Sequence, residues 1–285
     1  MDSGLGSVNH VSFTDVAIVD NTGGNVGGLF NFGSNDTTLT DVTISGNQNT
    51  SDPYAAGVED YGSLTLVNVT IANNVALGSG ATGGIEGLGD TLTITNSYIV
   101  GNTGSDGSGN GGGLNDNGTV IVVNSIIADN LNNGAAGNTN CGSDAITTDG
   151  GYNIENGTTC GFTGTGDKNA NPDLGALAHN GGPLETEALL TGSPAINAGL
   201  NASCPTDDER GYTRITASDP TCDIGAYEYG AGPVTTPTPS GVPVPTSGAI
   251  AAGTSSGSLW AVLLLIAGLG MAAAALRFRG RDPVG

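Results

Sequence analysis

In the stretch "SLTLVNVTIANN", Leu64 and Leu66 alternate with Thr65 and Val67. After Asn68 the alternation resumes one residue out of phase, with Val69 and Ile71 apolar. A period of two puts both leucines on one face of an extended strand. A slip of phase at one polar residue is the pattern of a corner, where the strand bends and both arms keep their apolar side chains on the inner side. A third short strand is predicted from Val58 to the turn Gly62-Ser63. The phrase recurs as "FTDVAIVDN", "LTDVTISGN", "LVNVTIANN", "ITNSYIVGN" and "VVNSIIADN", closing at Asn21, Asn47, Asn74, Asn102 and Asn130, which are 26, 27, 28 and 28 residues apart. Three short strands in a repeat of this length predict a solenoid, a parallel β-helix in which each strand pairs with its equivalent in the next coil.

Two further rows keep the same phase. One is Asp15, Asp41, Asn68, Asn96 and Asn124; the other is the set of Gly-aliphatic pairs Gly28-Leu29, Gly57-Val58, Gly84-Ile85 and Gly113-Leu114. Stacked Asn side chains are expected to hydrogen-bond along the axis as a ladder and to satisfy turn groups that water does not reach. Asn and Asp also tolerate the left-handed backbone of tight corners. Both polar rows are therefore read as structural. The variable segments 22 to 27, 48 to 56, 75 to 83 and 103 to 112 all leave at one corner, and a shared loop face is where a solenoid carries its binding surface. Tyr54 is their one aromatic residue.

Composition changes the picture in two ways. The chain has 50 Gly and only 5% aromatic residues, which without a repeat would predict disorder. Its net charge is −21, and Lys168, Arg210, Arg214, Arg277, Arg279 and Arg281 are its only Lys and Arg residues. So acidic a surface repels phosphate and excludes nucleic acid as a partner of the repeats. Cys141, Cys160, Cys204 and Cys222 lack the short spacing of a zinc site, and two local disulfides in an oxidising compartment fit better, although four cysteines allow three pairings. The N-terminus shows no apolar signal segment, and the expectation is that the chain begins in mid-solenoid with its first residues missing.

Past Cys141 the period dissolves. Residues 230 to 258 are a Pro/Thr/Ser/Gly linker, and Leu259 to Leu276 is a run of apolar and small residues long enough to cross a bilayer. Trp260 suits the outer interface, and the following arginines place the tail, 277 to 285, in the cytoplasm and everything before the span outside.

Residues 171 to 228 carry the most specific string, "NPDLGALAHNGGPLETEALLTGSPAINAG" followed by "DERGYTR" and "CDIGAYEY". It resembles the choice-of-anchor Q domain, found beside right-handed parallel β-helix repeats in bacterial surface proteins, over about Cys141 to Tyr229. The repeats more loosely resemble those of polymorphic outer-membrane proteins and related adhesins. The family takes its name from its varied C-terminal anchoring signals. Here "VPVPTSG", the apolar span and the arginines resemble a sorting tail, implying a sorting protease as a partner.

The open end of a β-helix needs a cover, and residues 141 to 229 are expected to form that cap, fixed by Arg210 and Arg214 with Asp208, Asp223 and Glu228. Glu59 and Glu86 hold equivalent places on adjacent coils and are read as a solvated face, with a shared Ca2+ or catalysis as the other options. The absence of Arg and Lys from the first 167 residues argues against uronate lyase chemistry. The sequence thus predicts an all-β protein with right-handed coils over 1 to 140, a cap, a stalk and one transmembrane helix. Its expected role is that of an exported, anchored surface protein, structural or adhesive and non-catalytic, with a glycan or cell-surface ligand at the loop corner. The alternatives are a polysaccharide-degrading enzyme whose catalytic coils are missing and a Ca2+-stabilised spacer.

Overall fold

The computed structural model describes residues 10–33, 36–51, 53–105, 111–133, 139–142 and 146–232. The coils stack as an all-β solenoid of about five turns, through parallel sheets of ten, five and four strands. In the first coils the two arms run through their corner as single strands, His10–Val19, Asp36–Ser45 and Ser63–Ala72. Later the arms separate, into Thr91–Thr95 with Tyr98–Val100 and Thr119–Val123 with Ile126–Ala128. The register stacks like on like: Leu39 beside Leu66, Leu66 beside Ile94, Ile94 beside Val122. These residues, with Val42, Val69, Ile71, Ile99 and Ile127, fill the buried axis. The four-stranded sheet is Leu29–Asn31, Val58–Asp60, Ile85–Gly87 and Leu114–Asp116. Glycine precedes each of these strands because the coils meet there backbone to backbone. A Cβ on Gly57 would lie 2.5 Å from the Gly84 carbonyl oxygen, and one on Gly84 2.2 Å from that of Gly113.

The closing asparagines form an axial ladder. Asn47 Oδ1 accepts from Asn21, Asn74 Oδ1 from Asn47, Asn102 Oδ1 from Asn74 and Asn130 Oδ1 from Asn102, in each step from both the backbone N–H and Nδ2, at 2.9–3.1 Å. Asn140 adds a rung that the period does not announce, accepting from Asn130 at 3.1 and 3.3 Å. The left-handed residue at this corner is the one before each ladder asparagine: Asp20, Gly46, Asn73, Gly101 and Asp129. In the other row the polar residue itself turns left-handed, with φ of 56°, 54°, 52°, 45° and 51° at Asp15, Asp41, Asn68, Asn96 and Asn124.

Two expectations are corrected. The segments after the ladder asparagines are not wholly loop: Thr22–Gly23, Gln48–Asn49, Val75–Ala76, Thr103–Gly104 and Leu131–Asn132 pair as the five-stranded sheet. Residues 141 to 229 are not one end cap. Only the part up to Asn169 continues the stack, where Thr148–Asp149, Ile154–Glu155 and Lys168–Asn169 pair onward and the Cys141–Cys160 disulfide, Ile146 and Phe162 pack on the axial core. Residues 171 to 229 instead lie along the flank. Leu189, Ala195, Ile224 and Ala226 bury the outward faces of Ala72, Tyr98, Val100, Ile126 and Ala128. The physical reason is that these coil positions are apolar on their outer side and need cover as much as the open end does.

The second polar row is the docking rail for this flank. Asn68 Nδ2 donates to the Asp207 carbonyl, Asn96 Nδ2 to those of Asp223 and Gly225, and Asn124 bonds Leu200 in both directions. Gly225 has φ of 102° and lies so close to Tyr98 that a Cβ would sit 1.8 Å from the ring. Arg214 joins Asn68 Oδ1 at 2.8 Å, Glu228 Oε2 at 3.1 Å and the carbonyls of Asp207, Gly225 and Ala226. Arg210 pairs with Asp208 at 2.6 Å and stacks on Tyr227, its guanidinium carbon 3.5 Å from the ring centroid. Asp223 accepts the backbone N–H of Asn197 and Tyr229 rather than an arginine. A second disulfide, Cys204–Cys222, closes a loop within the flank. The linker beyond residue 232, the apolar run Leu259 to Leu276 and the arginine tail lie outside the described residues. Among the described residues no helix is long and apolar enough to cross a membrane.

Candidate functional site

The outer face of the four-stranded sheet gathers the chemistry that the sequence scatters. Leu29, Val58, Ile85 and Leu114 point to the core. Alternation therefore sends their successors outward, and register lines these up along the axis as Phe30, Glu59, Glu86 and Asn115. The next outward row begins with Phe32, Tyr61 and Leu88, since the Tyr61 N–H bonds the Asn31 carbonyl and the Leu88 N–H that of Asp60.

Four aromatic rings meet at the start of these rows. Phe30 lies 5.4 Å from Phe32, 6.4 Å from Tyr54 and 5.7 Å from Tyr61, and Phe32 lies edge-on to Tyr61 at 6.5 Å. The cluster is open to solvent, with Phe30 45%, Phe32 66% and neighbouring Leu88 64% exposed. In a chain this poor in aromatics, four rings in one cluster, two of them exposed and two half-buried, are a concentration that core packing does not require.

Glu59 and Glu86 are brought side by side in register, as expected from their spacing. The expectation of a solvated face fails for Glu59, which is 1% exposed. Its Oε2 accepts the Ala55 N–H at 2.7 Å, and Glu86 Oε2 accepts the Thr82 N–H at 2.9 Å, so each carboxylate ties down the loop four residues before it. Tyr61 also hydrogen-bonds the Glu59 carboxyl, and Asn115 that of Glu86. Burial, then the nearby Glu86 charge, push the Glu59 carboxyl up to about 7, and burial raises Glu86 as well. Among the described residues no group of three or more His, Cys, Asp or Glu side chains gathers to hold a metal.

A raised carboxyl pKa means that the folded chain holds the proton more tightly than the unfolded chain does. Stability should therefore rise as pH falls from about 7 toward the ordinary value of 4.5, and decline again as pH rises through that window. Thermal melts between pH 4.5 and 8 should show this slope, and Glu59→Gln should make it shallower, the remainder coming from other buried carboxyls such as Glu187 and Glu228 that burial also raises. An unchanged slope in that variant would show that the Glu59 carboxyl does not titrate as described.

Neither aromatic ring placement nor burial of Glu59 follows from the repeat alone, because Phe30, Phe32 and Tyr61 adjoin only once the coils are in register. The face sets flat apolar rings near the half-buried Glu86 carboxyl and Asn115 amide, a combination chemically suited to a ligand with both apolar and hydroxyl-bearing faces. Comparisons of the chain with protein-family models, curated proteins and solved structures return no match.

Proposed function

We propose that the chain is an exported, membrane-anchored surface protein whose solenoid is a non-catalytic, adhesive scaffold, and that the aromatic cluster on its four-stranded sheet binds a neutral carbohydrate. The observation that carries this is the cluster of exposed Phe30 and Phe32 with half-buried Tyr54 and Tyr61, near the half-buried Glu86 carboxyl. Sugar rings present C–H faces that stack on aromatic rings and hydroxyl edges that carboxyls and amides accept. The net charge of −21 disfavours acidic glycans, which leaves neutral ones. Two disulfides fit an oxidising exterior. The apolar run from Leu259 and the arginines after it support the anchor, and the resemblance of residues 171 to 228 to the choice-of-anchor Q domain supports a bacterial surface setting with a sorting protease as processing partner.

The full chain should retain neutral glycans on an array, and the double substitution Phe30→Ala with Phe32→Ala should weaken that binding about tenfold or more. The fold should survive, since both rings are exposed. Glu59→Gln with Glu86→Gln should leave binding within a few-fold, because the amide oxygen still accepts. Retention unaffected by the Phe pair would remove the proposal. The register of Glu59 with Glu86 keeps a polysaccharide hydrolase as the second reading. Release of reducing ends by the wild type, abolished in the Gln pair, would establish that reading in place of the first.

A further inference from the structure

At the inner end of the four-stranded sheet a second polar column runs along the axis: Asn31, Asp60, Gly87 and Asp116, in register on successive coils. Its first step is closed. Asn31 Nδ2 donates to Asp60 Oδ1 at 2.7 Å, and Thr37 donates to Asn31 Oδ1 at 2.8 Å. Each aspartate also accepts a turn N–H on Oδ1, from Gly62 at 3.0 Å and from Gly118 at 2.7 Å. This leaves Asp60 Oδ2 and Asp116 Oδ2 buried without a hydrogen-bond partner, on residues only 0% and 3% exposed.

Both free oxygens face the coil between them. A Cβ on Gly89 would lie 2.8 Å from Asp60 Oδ2, and one on Gly87 would lie 3.1 Å from Asp116 Oδ2. The column thus has a missing rung where Gly87 has no side chain, with Asp116 Oδ2 beside that position and Asp60 Oδ2 beside Gly89, two residues on in the same coil. Substitution cannot supply that rung, because a Cβ on Gly87 would sit 2.0 Å from the Asp60 carbonyl oxygen. Two buried anions with no donor between them are costly. Burial raises both carboxyls, Asp60 to about 6, with the charges of Asp116 and Asp90 raising Asp60 further.

We infer that a hard, oxygen-liganded cation, Ca2+, bridges Asp60 Oδ2 and Asp116 Oδ2 across the side-chain-free stretch of Gly87 and Gly89, with the rest of its shell from backbone carbonyls and water. All-oxygen ligation with charged carboxylates suits Ca2+ better than Mg2+, which holds its water more tightly and demands a near-ideal octahedron. The expected affinity is modest, since only two carboxylates contribute.

The test is metal content by native mass spectrometry, with thermal melts of the full chain in millimolar Ca2+, in Mg2+ and in chelator. One Ca2+ per chain is expected, with a melting temperature about 3 °C or more above that in chelator. Asp116→Asn places an amide donor opposite Asp60, so this variant should fold, lose the bound ion and melt at one temperature in all three solutions. Asp60→Asn should likewise lose the ion. Glu59→Gln with Glu86→Gln should keep it, and loss of the ion in that pair would move the site to the glutamates and overturn the inference. It would equally be overturned by a wild type that takes up no Ca2+ and melts alike with and without chelator, the result expected of a water or a proton at the gap.

Discussion

Replacing Arg214 by methionine is expected to detach the C-terminal flank and to cost about 3–5 kcal/mol, the scale for removing one partner of a buried ion pair. Arg214 knits the flank together and ties it to one coil: one guanidinium nitrogen reaches Asn68 on the solenoid as well as the Gly225 and Ala226 carbonyls of the flank, and another reaches Glu228. Methionine fills part of the volume and leaves the Glu228 carboxyl and three flank carbonyls with fewer donors. The melting temperature should fall by about 10 °C. Proteases should cut between residues 171 and 229, and a dye for apolar surface should bind where Tyr98, Val100 and Ile126 become uncovered. Arg210→Met should cost less, because Arg210 bonds Asp208, Asn180 and Glu228, all within the flank itself. A melting temperature within about 2 °C of wild type, with unchanged protease protection, would refute the latch.

Asn74→Ala, in the middle of the axial ladder, should be among the most damaging single changes there. Its Oδ1 takes two hydrogen bonds from Asn47, and its Nδ2 gives one to the Ile44 carbonyl and one to Asn102 Oδ1. All four partners are buried, and a buried polar group left unmade costs about 1–3 kcal/mol. Relaxation and entering water recover some of that, so about 3–4 kcal/mol is expected, read as a lower melting temperature by circular dichroism. Asn74→Asp should be nearly as costly, since it keeps the acceptor and turns the donor into a second acceptor facing two others. Asn21→Ala, at the half-buried first rung, should cost about 1 kcal/mol. Equal losses at both positions would mean that the ladder contributes through something other than buried hydrogen bonds.

Much of the solenoid was legible in the sequence because its physics is periodic. The inward alternation of Leu64 and Leu66, the corner at Asn68 and the ladder asparagines all recur in phase, and each is where the strands and hydrogen bonds place it. The five-stranded sheet was not legible, because two-residue strands such as Gln48–Asn49 are too short for alternation to register. The flank left a signal that periodic reading passes over. In "YIV" and "IIA" successive residues are apolar, whereas Thr43 and Thr70 occupy matching outward places on earlier coils. A strand apolar on both sides is covered on both sides. Those two threonines show the complementary case, since both bond the buried carboxyl of Glu209 from the flank. The site was the least legible part. Glu59 reads as exposed until the loop carrying Ala55 folds over it, and Phe30, Phe32 and Tyr61 become one cluster only through the pairing of Leu29–Asn31 with Val58–Asp60.

The position of the flank decides how the molecule would carry a pull. Neighbouring coils are joined by hydrogen bonds that run along the stack, so tension on that axis would open them pair by pair, as a zipper opens. The flank crosses those seams, touching Thr43, Asn68, Asn96 and Asn124 on four successive coils. Separating any two of these coils therefore requires the flank to slide past both at once, against the Arg214 bonds and the packing around Tyr98. Peeling would be converted to shear, and a stack held this way would yield as a block rather than unravel from one end.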